Sequence, residues 1–76
     1  MSTWTDEFEI KATKKDAEPR IWTRSTYVTS KIIADQAVVK LGYERAEVVN
    51  TYGGHRSDPL YVVDATGTRV DHVNPN

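Results

Sequence analysis

The chain has 76 residues, ten basic against eleven acidic side chains for a formal net charge of −1, and no cysteine. That length holds one domain with a thin core (residues 1–76), and the charge balance excludes a dedicated DNA binder. The missing thiols exclude disulfides and thiolate–metal sites, while 38% hydrophobic residues exclude an intrinsically disordered chain, so the fold has to rest on packing alone.

The opening MSTWTDEFEI is acidic and lacks the basic-then-apolar order of a signal peptide, and no apolar run approaches the ~18 residues of a membrane span. Both set the expectation of a cytoplasmic protein with no membrane partner. Residues 4–13 alternate. Trp4, Phe8, Ile10 and Ala12 share one face, with Asp6 as the misfit, and Thr5, Glu7, Glu9, Lys11 and Thr13 share the other, which predicts a half-buried strand. KKDAEP then reads as a polar hairpin loop closed by Pro19, and RIWTRS (20–25) as a second strand. Six bases fall within residues 11–31 (Lys11, Lys14, Lys15, Arg20, Arg24 and Lys31) against two acids, Asp16 and Glu18.

A helix is expected over residues 27–41. Thr26 or Thr29 can cap it with a hydroxyl, and Gly42 can end it in the left-handed region. At 100° per residue Tyr27, Ser30, Ile33, Ala34, Ala37, Val38 and Leu41 form the core stripe. The two alanines would let the helix lie close to a sheet. Lys31 and Asp35 are spaced i, i+4 on a side assigned to solvent. Val28, Ile32 and Val39 make a second apolar stripe on the opposite side. Three occupants are open for it: the N-terminal segment around Trp4, a second copy of the chain in a homodimer, or a docked protein.

Period two returns after Gly42. ERAEVVNTY (44–52), LYVVD (60–64) and TRVDHV (68–73) predict three strands, with GGHRSDP (53–59) as a hairpin loop and Asp64–Gly67 as a tight turn. The predicted fold is therefore α+β, in the order ββαβββ, a mostly antiparallel five-stranded sheet with one helix packed on one face.

One helix covers one face of a sheet, so the other face meets solvent or a partner. Placing Ile21 inward puts Trp22 outward between Arg20 and Arg24. Placing Ala46 and Val48, Leu60 and Val62, and Val70 inward leaves Val49, Tyr61, Val63 and Arg69 outward. The expected binding patch is thus Trp22 and Tyr61 as apolar anchors with Arg20, Arg24, Lys11 and Arg69 as charged contacts, residue types enriched at hot spots. A slip of one residue in the second strand would reverse that choice and bury Trp22.

No phosphate loop, dinucleotide fingerprint or nucleophile elbow is present. His55 stands beside Arg56 and Asp58 in a glycine-rich loop, where an anion site or proton shuttle competes with an ordinary turn. Asp71 and His72 lack a third ligand at metal-binding spacing. No catalytic residue, metal or cofactor is expected, and the chain is read as a non-enzymatic protein-interaction domain. The alternative is a small single-stranded nucleic-acid binder that stacks bases on Trp22 and Tyr61 of the open sheet face.

The succession PRIWTRSTYVTSKIIADQAVVKLG, ERAEVVNTY and LYVVDATGTRV, a strand, a short helix and a meander, resembles small phage-encoded anti-CRISPR and other phage accessory proteins in element order and size. The resemblance implies a cytosolic inhibitor that docks on a host CRISPR or other nucleic-acid-processing complex and blocks it sterically. It transfers no functional residue to this chain.

Overall fold

A computed structural model describes residues 7–51 and 55–72. Strand β1 (Phe8–Thr13) buries Phe8, Ile10 and Ala12 and leaves Glu9, Lys11 and Thr13 half-buried, as the alternation of its sequence requires. After it come β2 (Arg20–Arg24), α1 (Tyr27–Val39), β3 (Arg45–Asn50), β4 (Tyr61–Asp64) and β5 (Arg69–Asp71), the predicted ββαβββ order. Every strand pairing is antiparallel, and the sheet order is β2-β1-β3-β4-β5. The molecule is a small α+β domain in which the connection through α1 carries the chain from one side of β1 to the other. Trp4, Tyr52, Gly53, Gly54 and Val73, which the sequence places in the first strand, the third strand, the long loop and the last strand, lie outside the described residues.

Thr26 caps α1. Its backbone is extended, its hydroxyl accepts from the Thr29 N–H at 3.4 Å, and its carbonyl receives both the N–H (3.1 Å) and the hydroxyl (2.8 Å) of Ser30. The helix stops two residues short of the expected end. The Leu41 N–H turns back to the Gln36 carbonyl (3.2 Å) and the Tyr43 N–H to that of Ala37 (3.1 Å). Gly42, at φ +82°, takes the left-handed conformation this reversal needs.

Ser30, Ala34 and Ala37, at i, i+4 and i+7, are wholly buried and let the helix lie close on the sheet. Below them sit Phe8, Ile10, Ala12, Ala46, Val48, Tyr61 and Val63, with Trp22, Tyr27, Ile33, Val38, Tyr43 and Leu60 packed around this cluster. The core is therefore small side chains above β-branched ones, with aromatic rings at its margins.

The register corrects the expected facing of three strands. Trp22 pairs with the buried Ile10, so Arg20, Trp22 and Arg24 lie on the helix side of β2, and Ile21, 52% exposed, lies on the open side. Val48 pairs with Tyr61 and Ala46 with Val63, which puts Tyr61 and Val63 under the helix and Val62 outside. Tyr61 pairs in turn with Asp71 and Val63 with Arg69, so those two charged residues face the helix side while Val70 is open. The reason is polar. Tyr27, Lys31 and Asp35 project from α1 toward β4 and β5 rather than to solvent, and they supply partners for Tyr61, Arg69 and Asp71. An inward charge that finds its counter-charge is no misfit, and it reverses a register chosen on hydrophobicity alone.

Candidate protein interaction site

Among the described residues the open sheet face does not hold an aromatic–arginine patch. Its strand residues within the described chain are Glu9, Lys11, Thr13, Ile21, Thr23, Arg45, Glu47, Val49, Val62, Asp64 and Val70, none of them aromatic. Most of its charges compensate one another. Lys11 lies directly across from Glu47, Arg45 reaches Glu47 at 3.3 Å, and Arg56 returns from the long loop to Glu9 at 2.6 Å. The Glu9 carboxylate holds the Arg56 guanidinium above its usual pKa range by hydrogen bond and charge. Ser57 ties the same loop to β3, its N–H donating to the Asn50 carbonyl (2.9 Å) and its Oγ accepting from the Asn50 N–H (2.8 Å). Beside these contacts Val49, although on the open face, is only 6% exposed.

Arg56, the base beside His55 in this loop, is thus drawn to Glu9. A concavity of about 550 Å³ does open beside Val62, lined by Arg45, Ser57, Asp58, Leu60 and His72 among others. Its one arginine is already engaged with Glu47. Among the described residues no group of three His, Asp or Glu side chains is placed to hold a metal ion, and no helix is long and apolar enough to cross a membrane.

Three residues of the expected patch part from Trp22: Lys11 stays on the open face opposite Glu47, and Tyr61 and Arg69 turn under the helix. Tyr61 is 5% exposed, with its hydroxyl on Asp35 Oδ1 at 2.6 Å. Arg69 donates from Nε to the same oxygen at 3.2 Å. They belong to a polar seam between helix and sheet. In that seam the Tyr27 hydroxyl meets Asp71 Oδ1 at 2.8 Å and the Leu60 carbonyl at 3.0 Å, and Lys31 Nζ meets Asp71 Oδ2 at 2.9 Å. Lys31 also lies 4.6 Å from the Tyr27 ring centre. Burial, with the hydrogen bond to Asp35 second, pushes the Tyr61 hydroxyl up to about 12. Burial and Asp71 push that of Tyr27 higher still.

What remains of the patch is regrouped at the opposite margin of the helix side, along β2. Trp22 is half-buried and meets Tyr43 edge-on, ring centres 6.5 Å apart at 84°. Arg20 lies 5.1 Å above the indole and Lys14 4.8 Å above the Tyr43 ring. Arg24 completes the row on the same face. Among the described residues Arg20, Arg24 and Lys14 meet no carboxylate, nor do Lys11, Lys15 and Lys40, whereas the other arginines, Arg45, Arg56 and Arg69, and Lys31 all do. Sequence reading singled out Trp22, Arg20 and Arg24 and placed them on the wrong face. It missed Tyr43, which comes to Trp22 only because the chain after α1 passes the β1–β2 hairpin, and Lys14, which that hairpin sets over the Tyr43 ring. The Glu44 N–H on the Thr13 carbonyl (3.0 Å) is the contact that fixes this approach.

The second apolar stripe is exposed: Val28, Ile32 and Val39 show 64%, 50% and 69% of their surface. The residues around Trp4 that were one candidate cover lie outside the described chain.

No protein-family model matches the chain, no curated protein is similar to it in sequence, and no solved structure matches its fold.

Proposed function

We propose that the chain is a non-enzymatic protein-interaction domain that holds a partner protein against the helix-side flank of β2. Trp22 is the apolar anchor, with Tyr43 behind it, and Arg20, Arg24 and Lys14 are the charged contacts. The observation that carries this reading is the contrast in ion pairing. The other described arginines have carboxylate partners, whereas Arg20 and Arg24 beside the half-buried Trp22 have none among the described residues. Unpaired arginine beside an accessible indole is the composition of a binding hot spot. The docking inhibitor of a host nucleic-acid-processing complex implied by the resemblance, acting in the cytosol, would use this same surface.

The test compares capture by the immobilised chain, by a folded Arg20→Glu/Arg24→Glu variant and by an Ile32→Asp variant from the same cell extract. The expected result is a partner held by the parent and by Ile32→Asp and lost by the double variant. Equal capture by all three would refute the assignment to β2. A single-stranded oligonucleotide added to the purified chain addresses the alternative. Salt-sensitive quenching of tryptophan emission would move the reading to nucleic acid.

A further inference from the structure

Among the described residues no strand pairs with the outer edge of β2, so that edge is open in its backbone as well as its side chains. The Thr51 N–H donates to the Glu7 carbonyl at 2.7 Å across directly opposed positions, so odd-numbered residues of β1 bond toward β3 and even-numbered ones toward β2. In β2, Arg20, Trp22 and Arg24 therefore pair with β1, and Ile21 and Thr23 aim their N–H and C=O groups away from the sheet. Among the described residues the Thr23 carbonyl is met by a neighbour, the Arg24 guanidinium at 2.6 Å. Pro19, with no N–H, closes one end of this edge.

We infer that β2 is a strand-addition site for an extended acidic peptide segment of a partner protein, with acidic side chains two residues to either side of an apolar one. The inference rests on the interaction reading above and names the chemistry of its partner. Strands added to an edge present alternate side chains to each face. On the helix side the added residues lie against Arg20, Trp22 and Arg24, which ask for acidic, apolar and acidic side chains in that order. On the open side they lie against Ile21 and Thr23, which suit β-branched residues. The pattern reads the same in both directions, so it fits a parallel or an antiparallel addition.

Charge selects this occupant over a second copy of the chain. Two β2 strands pairing antiparallel about Trp22 would set Arg20 of each directly against Arg24 of the other, and opposed like charges destabilise a pair. Arginine on an exposed edge, Arg24 folded back on the neighbouring Thr23 carbonyl, is a guard against self-pairing that an acidic strand reverses into attraction. The far edge offers no equivalent. There β5 has three residues, and Arg69 and Asp71 are already committed to Asp35 and Lys31.

The experiment uses the full chain, labelled for amide NMR, and a capped seven-residue peptide with glutamate at positions two and six, valine at four, and threonine and isoleucine between. Titration should move the Trp22 indole resonance. It should slow hydrogen exchange of the Ile21 and Thr23 amides, with those of Arg20 and Trp22, already paired, little changed. A peptide with lysine for glutamate, or the Arg20→Glu/Arg24→Glu chain, should bind about tenfold more weakly or less. N-methylating the peptide at the residues facing β2 should abolish protection. If the peptide moves Trp22 while Ile21 and Thr23 exchange as before, or if the N-methylated peptide binds equally, strand addition is overturned and the interaction surface stands. If neither peptide moves Trp22 while an oligothymidylate does, both readings fail in favour of nucleic acid. If no probe moves it and extract capture is unaffected by the double variant, the β2 surface itself is refuted.

Discussion

The hydroxyl of Tyr61 donates a 2.6 Å hydrogen bond upward from the sheet to the Asp35 carboxylate on α1. The bond fixes how helix and sheet meet, because Asp35 also holds Arg69 of β5 at 3.2 Å. Tyr61→Phe keeps the buried ring and deletes the bond. Since Arg69 still satisfies Asp35, the loss should be about 1 kcal/mol. Asp35→Ala leaves the part-buried Tyr61 hydroxyl without this acceptor and Arg69 without its carboxylate, and should cost about 2 kcal/mol. Urea unfolding at neutral pH measures both. A reversed order would mean that the seam is not organised by Asp35.

The same seam makes the fold sensitive to alkali. In the unfolded chain tyrosine ionises near pH ~10. In the folded chain Tyr61 is pushed up to about 12, and Tyr27 above that, by burial first and by Asp35 and Asp71 second. Between these limits the unfolded state has released protons that the folded state retains, so stability falls as pH rises. The contribution is complete below pH ~10 and is lost through about 12 and beyond. Unfolding free energy measured from pH 8 to 11.5 should decline above about 10. Tyr61→Phe should flatten the decline, and an identical slope in that variant would exclude Tyr61 as its source.

Close approach of α1 to the sheet depends on three side chains no larger than a hydroxymethyl. Ala34 is wholly buried over a layer that includes Ile10, Val48 and Val63. Ala34→Leu adds three carbons where interior packing leaves no room and should cost about 1–3 kcal/mol. Ala34→Gly should cost about 1 kcal/mol for a different reason, the lost helix propensity. Thermal unfolding of the two variants separates overpacking from propensity. A neutral Ala34→Leu would mean that the helix rides higher than the structure places it.

Element order was legible because alternation and helical periodicity are local. FEIKAT and RAEVVN each have one apolar and one mainly polar face, and β1 and β3 bury the faces expected of them. YVVD offers apolar residues to both faces, so hydrophobicity could not choose between Leu60 with Val62 and Tyr61 with Val63. The choice is made by Asp35, 26 residues away in sequence from Tyr61. The RVD strand is a like case, since a charged pair goes inward only where Lys31 and Asp35 wait for it. RIWTR was misplaced for a simpler reason. An edge strand at the helix margin exposes four of its five residues, so burial barely distinguishes its faces. The candidate site inherits these errors. Trp22, Arg20 and Arg24 stay together because they share a strand; Lys11 parts from them because β1 keeps its expected face while β2 turns over, and Tyr61 and Arg69 are held under α1 by Asp35.

The outer stripe of α1 gives a prediction in which little should happen. Val28, Ile32 and Val39 are between 50% and 69% exposed. Three aliphatic side chains so placed offer a small patch, while a stable interface takes roughly 800 Å² from each partner. Ile32→Asp should therefore leave folding stability within about 0.5 kcal/mol of the parent, and both proteins should sediment at the monomer mass. A parent at twice that mass, halved by Ile32→Asp, would assign the stripe to a dimer seam and would require neighbouring surface to join it. Marked destabilisation at constant monomer mass would place part of the same chain over Ile32. Unchanged stability and mass would leave the stripe as isolated surface aliphatics and the β2 flank as the surface where unpaired arginines flank a half-buried indole.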